Sequence, residues 1–179
     1  MRGAADTTLQ IGATESITEY RYRGASPKNY VTFNNEVWRI LGVFKVDDGT
    51  GNIENRIKII RNESIGQYVA DSNNSAEIAW PETNMNNNLN GTYLSSLTSE
   101  TQNMIGNAKY YLGGYDGSEY QQGLVQTPVD MYSYERKIKN TKSNEFYYGS
   151  NPNSFIGKIG AMYASDYGYA SSNCETKKL

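Results

Sequence analysis

The chain has 179 residues, a formal net charge of −2 and no histidine, a length that suits one domain with a real hydrophobic core rather than two. Charged residues make up 20% without a basic excess, so there is no field to neutralise a phosphate backbone and nucleic acid is excluded as a natural partner. The missing histidine removes the usual general base, the Ser–His and Cys–His nucleophile pairs and the commonest zinc ligand, and most hydrolytic mechanisms fall with it.

Residues 1–19 are small and polar with weak periodicity and read as a leader or linker strand, with a single α+β domain over 20–179. From Tyr30 to Phe33 a run of β-formers meets Asn34-Asn35, and Glu36 to Phe44 continues in the same character. Two asparagines between such runs predict a hairpin, because Asn tolerates the left-handed backbone of a tight turn. The segment Asp47-Asp48-Gly49-Thr50-Gly51-Asn52 is turn chemistry; it misses the EF-hand spacing and its closing Glu, so no metal is expected there. Beyond it, Arg56-Ile57-Lys58-Ile59-Ile60-Arg61 alternates charged and apolar residues and predicts a third strand with one wet face.

Trp80 is the one large apolar anchor in the irregular stretch that follows, and Leu89, Tyr93, Leu94 and Leu97 mark a short helical segment. Ser99-Glu100-Thr101-Gln102 matches a capping box and predicts a helix carrying Met104, Ile105 and Ala108 on one side. Trp38 is expected to pack between the sheet and this helix. Gly113-Gly114, Gly117 and Gly123 punctuate a long loop, and Val125 to Tyr134 reads as a strand broken at Pro128. Phe155 to Tyr163 reads as a strand whose glycines permit close backbone approach, with Ser165-Asp166 as the N-cap of a short helix over Tyr167 to Ala170.

No glycine-rich nucleotide loop is present, and no cofactor is expected. A glycosidase needs two carboxylates and no histidine, and Glu82, Asp116, Glu119, Asp130, Glu135 and Asp166 are formally available, but nothing singles out a pair. Tyrosine supplies 16 aromatic residues against 4 Phe and 2 Trp. Its rings pack or stack while the hydroxyl keeps a hydrogen-bonding handle.

Two segments therefore stand out as ligand-binding candidates. One holds Tyr132, Tyr134, Glu135 and Arg136, aromatic rings beside an ion-forming pair, and reads either as a binding hot spot or as an edge strand. The other holds Tyr163, Asp166, Tyr167 and Tyr169 and reads either as a sugar-stacking surface or as a strand-to-helix corner closing the core.

Taken in order, Tyr22-Arg23-Gly24, Asn29 to Asn34, Glu36 to Val43, Ile57 to Arg61, Tyr134-Glu135-Arg136 and Ile156 to Gly160 running into Met162 to Ala170 resemble a family of uncharacterised domains in surface and exported proteins of gut-dwelling Gram-positive bacteria. The resemblance implies an extracellular or cell-surface setting and a small twisted, mostly antiparallel sheet with one or two short helices and long loops, similar to C-type-lectin-like folds. It implies no assigned activity. The expected role is a non-catalytic module binding a glycan or a surface protein, with a pilus or stalk segment and a carboxylate-only glycosidase as alternatives.

No stretch approaches the apolar length of a membrane span, and a targeting segment is expected to have been removed. Because the resembling family continues into further strands, the fold is expected to be incomplete at its C-terminal end. The strand around 156–163 should then either lie at an open edge able to self-associate or be covered by residues 1–19 or a neighbouring subunit, and the single cysteine, Cys174, should sit near the surface and form an intermolecular disulfide.

Overall fold

The computed structural model describes residues 4–11, 15–72, 78–112, 127–135, 152, 154–174, 176, 177 and 179, with side chains from residue 19 onward except at 130, 133 and 134. The fold is α+β with antiparallel pairing throughout the described residues.

Strands β3 (Tyr30–Phe33) and β4 (Glu36–Asp47) form the hairpin expected from Asn34-Asn35. Both turn residues have positive φ, 53° and 59°, the backbone a two-residue turn needs to match the strand twist. Asn34 Oδ1 also accepts from the Thr98 backbone N–H at 3.3 Å, which ties the turn to the helical layer.

β4 is the spine of the sheet. One of its edges is taken along its length by β5 (Ile53–Arg61). The other is shared, with β3 opposite Glu36 to Arg39 and β2 (Glu15–Arg21) opposite Gly42 and Val43. Gly42 permits that second pairing, since a Cβ there would stand 2.1 Å from the Tyr20 carbonyl oxygen. β1 (Ala4–Ile11) pairs with β2, so the segment anticipated as leader or linker carries a hairpin that continues the sheet. The Asp47–Asn52 loop is a pair of side-chain-capped turns: Asp47 accepts from Gly49 N–H at 2.8 Å and Asp48 from Thr50 N–H at 2.7 Å.

A short 3-10 turn (Trp80–Glu82) leads into a continuous helical run over 84–96. It comprises α1 (Asn84–Asn87), a π-helical segment (Asn88–Tyr93) and α2 (Leu94–Ser96), with Thr83 capping its start. Next comes α3 (Ser99–Met104), whose N-cap is Thr98, one residue before the capping box read from the sequence. The helix ends at Met104, which is 67% exposed, Ile105 is its extended C-cap, and Ala108 belongs to the next strand. The apolar side expected of this helix is therefore absent. Trp38 is buried, but its ring is held edge-on by Phe33 at 5.8 Å.

β6 (Ala108–Tyr111) and β7 (Ser154–Gly157) make a separate two-stranded sheet. The strand expected through Tyr163 stops at Gly157, because Asn90 claims the next backbone groups. Its Oδ1 accepts from the N–H of Lys158 and of Ile159, both at 3.0 Å, and its Nδ2 donates to the Ile159 carbonyl at 2.8 Å. Tyr110 stacks on Phe155 at 5.0 Å between ring centroids, and Trp80 closes the row at 6.3 Å.

The expected strand over 125–134 is instead a helix, α4 (Pro128–Glu135). Pro128 starts it rather than breaking it, since proline's fixed φ and missing N–H suit the first helical turn. α4 packs on α5 (Ala164–Tyr169), and between them Tyr132, Tyr169 and Cys174 form a small core. Cys174 is thus buried at 2% exposure, contrary to the surface position expected. No helix among the described residues is long and apolar enough to cross a membrane.

Candidate functional site

Where α4 and α5 meet the sheet, charged residues converge in the interior. Arg21, at the end of β2, donates to Glu19 Oε2 at 2.6 Å and to Asp166 Oδ1 at 2.8 Å. All three side chains are 3% exposed or less. Its guanidinium is sandwiched between the rings of Phe44, 4.5 Å away, and Tyr169, 4.6 Å away. Lys58, from β5, contacts the other Asp166 oxygen through Nζ.

Burial alone would push the Asp166 carboxyl toward its neutral form, but Lys58 and Arg21 outweigh it and hold the group below the ordinary carboxylate value. Burial likewise works against the Arg21 charge, and Glu19 and Asp166 more than offset it. The Tyr110 hydroxyl is pushed up to about 12, by burial first and then by the Asp166 charge.

A second carboxylate serves the backbone. Glu135, at the end of α4, accepts from the Ser165 N–H at 2.9 Å and from the Ser165 hydroxyl. The expected Ser165-Asp166 cap is therefore replaced: the helix begins at Ala164 after Tyr163, and Glu135 from another helix satisfies an early N–H.

Of the residues proposed from sequence, five come together here. Tyr132 donates to Glu19 at 3.3 Å and meets Tyr169 edge-on at 6.4 Å, and Tyr132, Glu135, Asp166 and Tyr169 are all buried. Tyr163 is half-buried, its hydroxyl donating to the Tyr111 carbonyl at 3.1 Å and accepting from the Tyr111 N–H at 2.7 Å. Tyr167 stands apart, 57% exposed, with Lys177 Nζ 4.3 Å from its ring centroid. The side chain of Tyr134 and the whole of Arg136 lie outside the described residues, as do Asp116, Glu119 and the side chain of Asp130. Tyr132, Glu135, Asp166 and Tyr169 thus lie in the interior and not on a binding surface, which for Asp166 and Tyr169 is the core-closing corner of the two readings.

Glu19, Arg21 and Lys58 escaped the sequence reading as site residues, and Ser165 entered it only as a helix cap. Glu19 was placed in a linker, and Lys58 on the wet face of an alternating strand. The strand is turned the other way: Ile57 is 66% exposed, while the Lys58 side chain is only 25% exposed.

Beside the network runs a groove of about 1020 Å³ between the β4–β5 face and the helical layer, walled by Trp38, Tyr93, Tyr110, Tyr111, Tyr163 and Lys58 among others. Three of the cations along it are paired with carboxylates: Arg61 is held by Glu36 at 2.7 Å, Arg56 by Glu54 at 2.6 Å and Lys109 by Asp47 at 3.7 Å. No group of three or more potential metal ligands occurs among the described residues.

Comparison of the chain with protein-family models, with curated proteins and with solved structures finds no match.

Proposed function

We propose that this domain is a non-catalytic binding module of an extracellular or cell-surface protein, and that it takes a glycan or a protein segment in the groove beside β4 and β5. The observation that carries the reading is the wall of that groove. Five tyrosines and a tryptophan line about 1020 Å³, the upper end of the roughly 300–1,000 Å³ usual for ligand sites. Tyrosine and tryptophan offer broad apolar faces with few rotors to immobilise, which suits both sugar rings and peptide side chains.

The carboxylates that line the groove and those of the network behind it support binding over catalysis. In the groove wall Glu19 is held by Arg21, Asp47 by Lys109, Glu54 by Arg56, and Glu63 accepts from the Asn62 amide. Glu135 is engaged by Ser165 and Asp166 by Arg21 and Lys58, so neither is poised to give or take a substrate proton. The test is a glycan array together with a pull-down from bacterial and host cell surfaces, run with the wild-type protein and with Tyr111→Ala. Binding that Tyr111→Ala loses while keeping its circular dichroism spectrum supports the groove; a blank array and a blank pull-down with folded wild-type protein would sink the proposal.

A further inference from the structure

The Lys58–Asp166 contact has a setting that a simple surface ion pair lacks. Asp166 is 0% exposed at its side chain, and Lys58 reaches it from a different element, 108 residues away in the chain. The Lys58 ammonium lies 4.7 Å from the centroid of the Tyr163 ring and 5.3 Å from that of Phe44, so aromatic carbon replaces water on these sides. Tyr163 is fixed in that position by its two hydrogen bonds to the Tyr111 backbone. Asp166 Oδ1 is held separately by Arg21, which leaves Oδ2 facing the amine.

We propose that Lys58 and Asp166 condense into an amide, a covalent cross-link between β5 and α5. The ion pair is the reactant. One ammonium proton passes to Oδ2, which gives a neutral amine and a carboxylic acid in contact. The amine lone pair attacks Cγ, and the negative charge that develops on Oδ1 falls on the oxygen already bound to the Arg21 guanidinium. A second nitrogen proton moves to Oδ2, the Cγ–Oδ2 bond breaks and water leaves, while the third proton remains as the amide N–H. Ammonium and carboxylate become a neutral amide and one water, with no oxidant, activator or other co-reactant.

Three features favour the product. Glu19, Arg21, Lys58 and Asp166 place four opposite charges in one interior, each costly to remove from water. Condensation cancels two of them and leaves the Arg21–Glu19 pair intact. The fold also holds amine and carboxyl in contact, which converts a bimolecular reaction into an intramolecular one with effective molarities of about 10⁵–10⁸ M in well-oriented cases. Finally, the buried carboxyl and the flanking rings keep water from hydrolysing the amide, while the exposed quarter of Lys58 opens on the groove and gives the departing water a path. Lys109–Asp47 is the contrast: at 3.7 Å, with side chains 35% and 20% exposed, it is looser and more open to solvent, and is expected to stay an ion pair. The chain has a single cysteine, so an internal disulfide cannot do this job. An amide closing so long a loop would constrain the unfolded chain as a disulfide does.

Intact-mass spectrometry of the folded protein decides the matter without any variant. The expected mass is below that of the sequence by one water. Tryptic mapping should find residues 57–61, with Lys58 uncut, joined to residues 159–177. Lys58→Arg and Asp166→Ala should each show their full sequence mass. A wild-type protein that folds yet keeps the full mass, with trypsin cutting after Lys58, overturns the cross-link and leaves an ion pair only. A deficit that persists in Lys58→Arg overturns it as well.

Discussion

Replacing Arg21 tests whether the interior charges hold the helices on the sheet. Arg21→Met keeps an unbranched side chain of similar reach between Phe44 and Tyr169 but removes the fork that binds Glu19 at 2.6 Å and Asp166 at 2.8 Å. Glu19, 2% exposed, then keeps the Tyr132 hydroxyl but loses its cation. Breaking a buried pair by removing one partner costs about 3–5 kcal/mol, because the remaining charge is stranded.

In a domain of this size each kcal/mol moves Tm by about 2–4 °C, so the variant should melt about 6–20 °C below wild type. Arg21→Lys should recover part of the loss and not all of it, since a single ammonium cannot bind both carboxylates in the same fork geometry. Thermal unfolding followed by circular dichroism reads both. A fall of less than about 2 °C for Arg21→Met, under 1 kcal/mol on that scale, would refute the idea that this network fastens α4 and α5 to the sheet. The Glu19 charge is stranded whether or not Lys58 and Asp166 are joined, so the result does not depend on the cross-link.

The remaining expectations are smaller. Gly42→Ala should cost about 1–3 kcal/mol in urea unfolding, because its Cβ meets the Tyr20 carbonyl and the β2–β4 pairing must shift. Asn35→Val should destabilise by about 1–2 kcal/mol while Asn35→Gly should be neutral or slightly stabilising, since φ is +59° there; equal effects would show that the turn tolerates any residue. Hydrogen bonding from Arg61 holds the Glu36 carboxyl below its ordinary value of 4.5, so its contribution to stability is present in full above that value and is lost as the pH falls through the lowered one. Glu36→Gln should flatten that acid limb of a stability-versus-pH curve. Cys174, at 2% exposure, should react with a thiol reagent only as fast as the protein opens, and mild oxidation should yield no disulfide dimer.

The central hairpin was legible because its signals are local: two asparagines that accept positive φ, flanked by β-formers, need nothing from the rest of the chain. Pro128 shows the opposite case. Proline is compatible with the start of a helix as much as with the break in a strand, and choosing between them required knowing that Tyr132 would find Tyr169 and Cys174. The capping-box reading erred by one residue, since Thr98 and Ser99 are chemically equivalent caps and the contact between Thr98 and Asn34 favours the first.

The candidate site was half visible. Its aromatic and acidic members stood out in two segments, but Lys58 looked like the polar half of an ordinary alternating strand. What turned it inward was a carboxylate on α5, which no local pattern announces. Glu19 was hidden for a related reason: short polar segments read as linkers until a partner strand is known, and Arg21, just inside the domain, had no local pattern to mark it.

Lys58 belongs both to the network and to the groove wall, and this bears on what the groove can hold. While the lysine is an ammonium bound to Asp166, it offers little free charge to a ligand; once joined as an amide it offers none. Of the other cations lining the groove, Arg61, Arg56 and Lys109 are each matched by a carboxylate within 3.7 Å, so at these three an acidic ligand would have to compete with pairs already made. A neutral ligand would meet no such competition. The proposed site would then select by stacking on Tyr111 and Tyr163 and by hydrogen bonds to tyrosine hydroxyls, interactions that weaken little with salt. Neutral sugars should therefore outcompete acidic ones on an array, and raising the ionic strength should leave their binding nearly unchanged; preferential capture of sulfated or uronic-acid glycans that fades with salt would instead place the recognition on the cations and contradict this account of the groove.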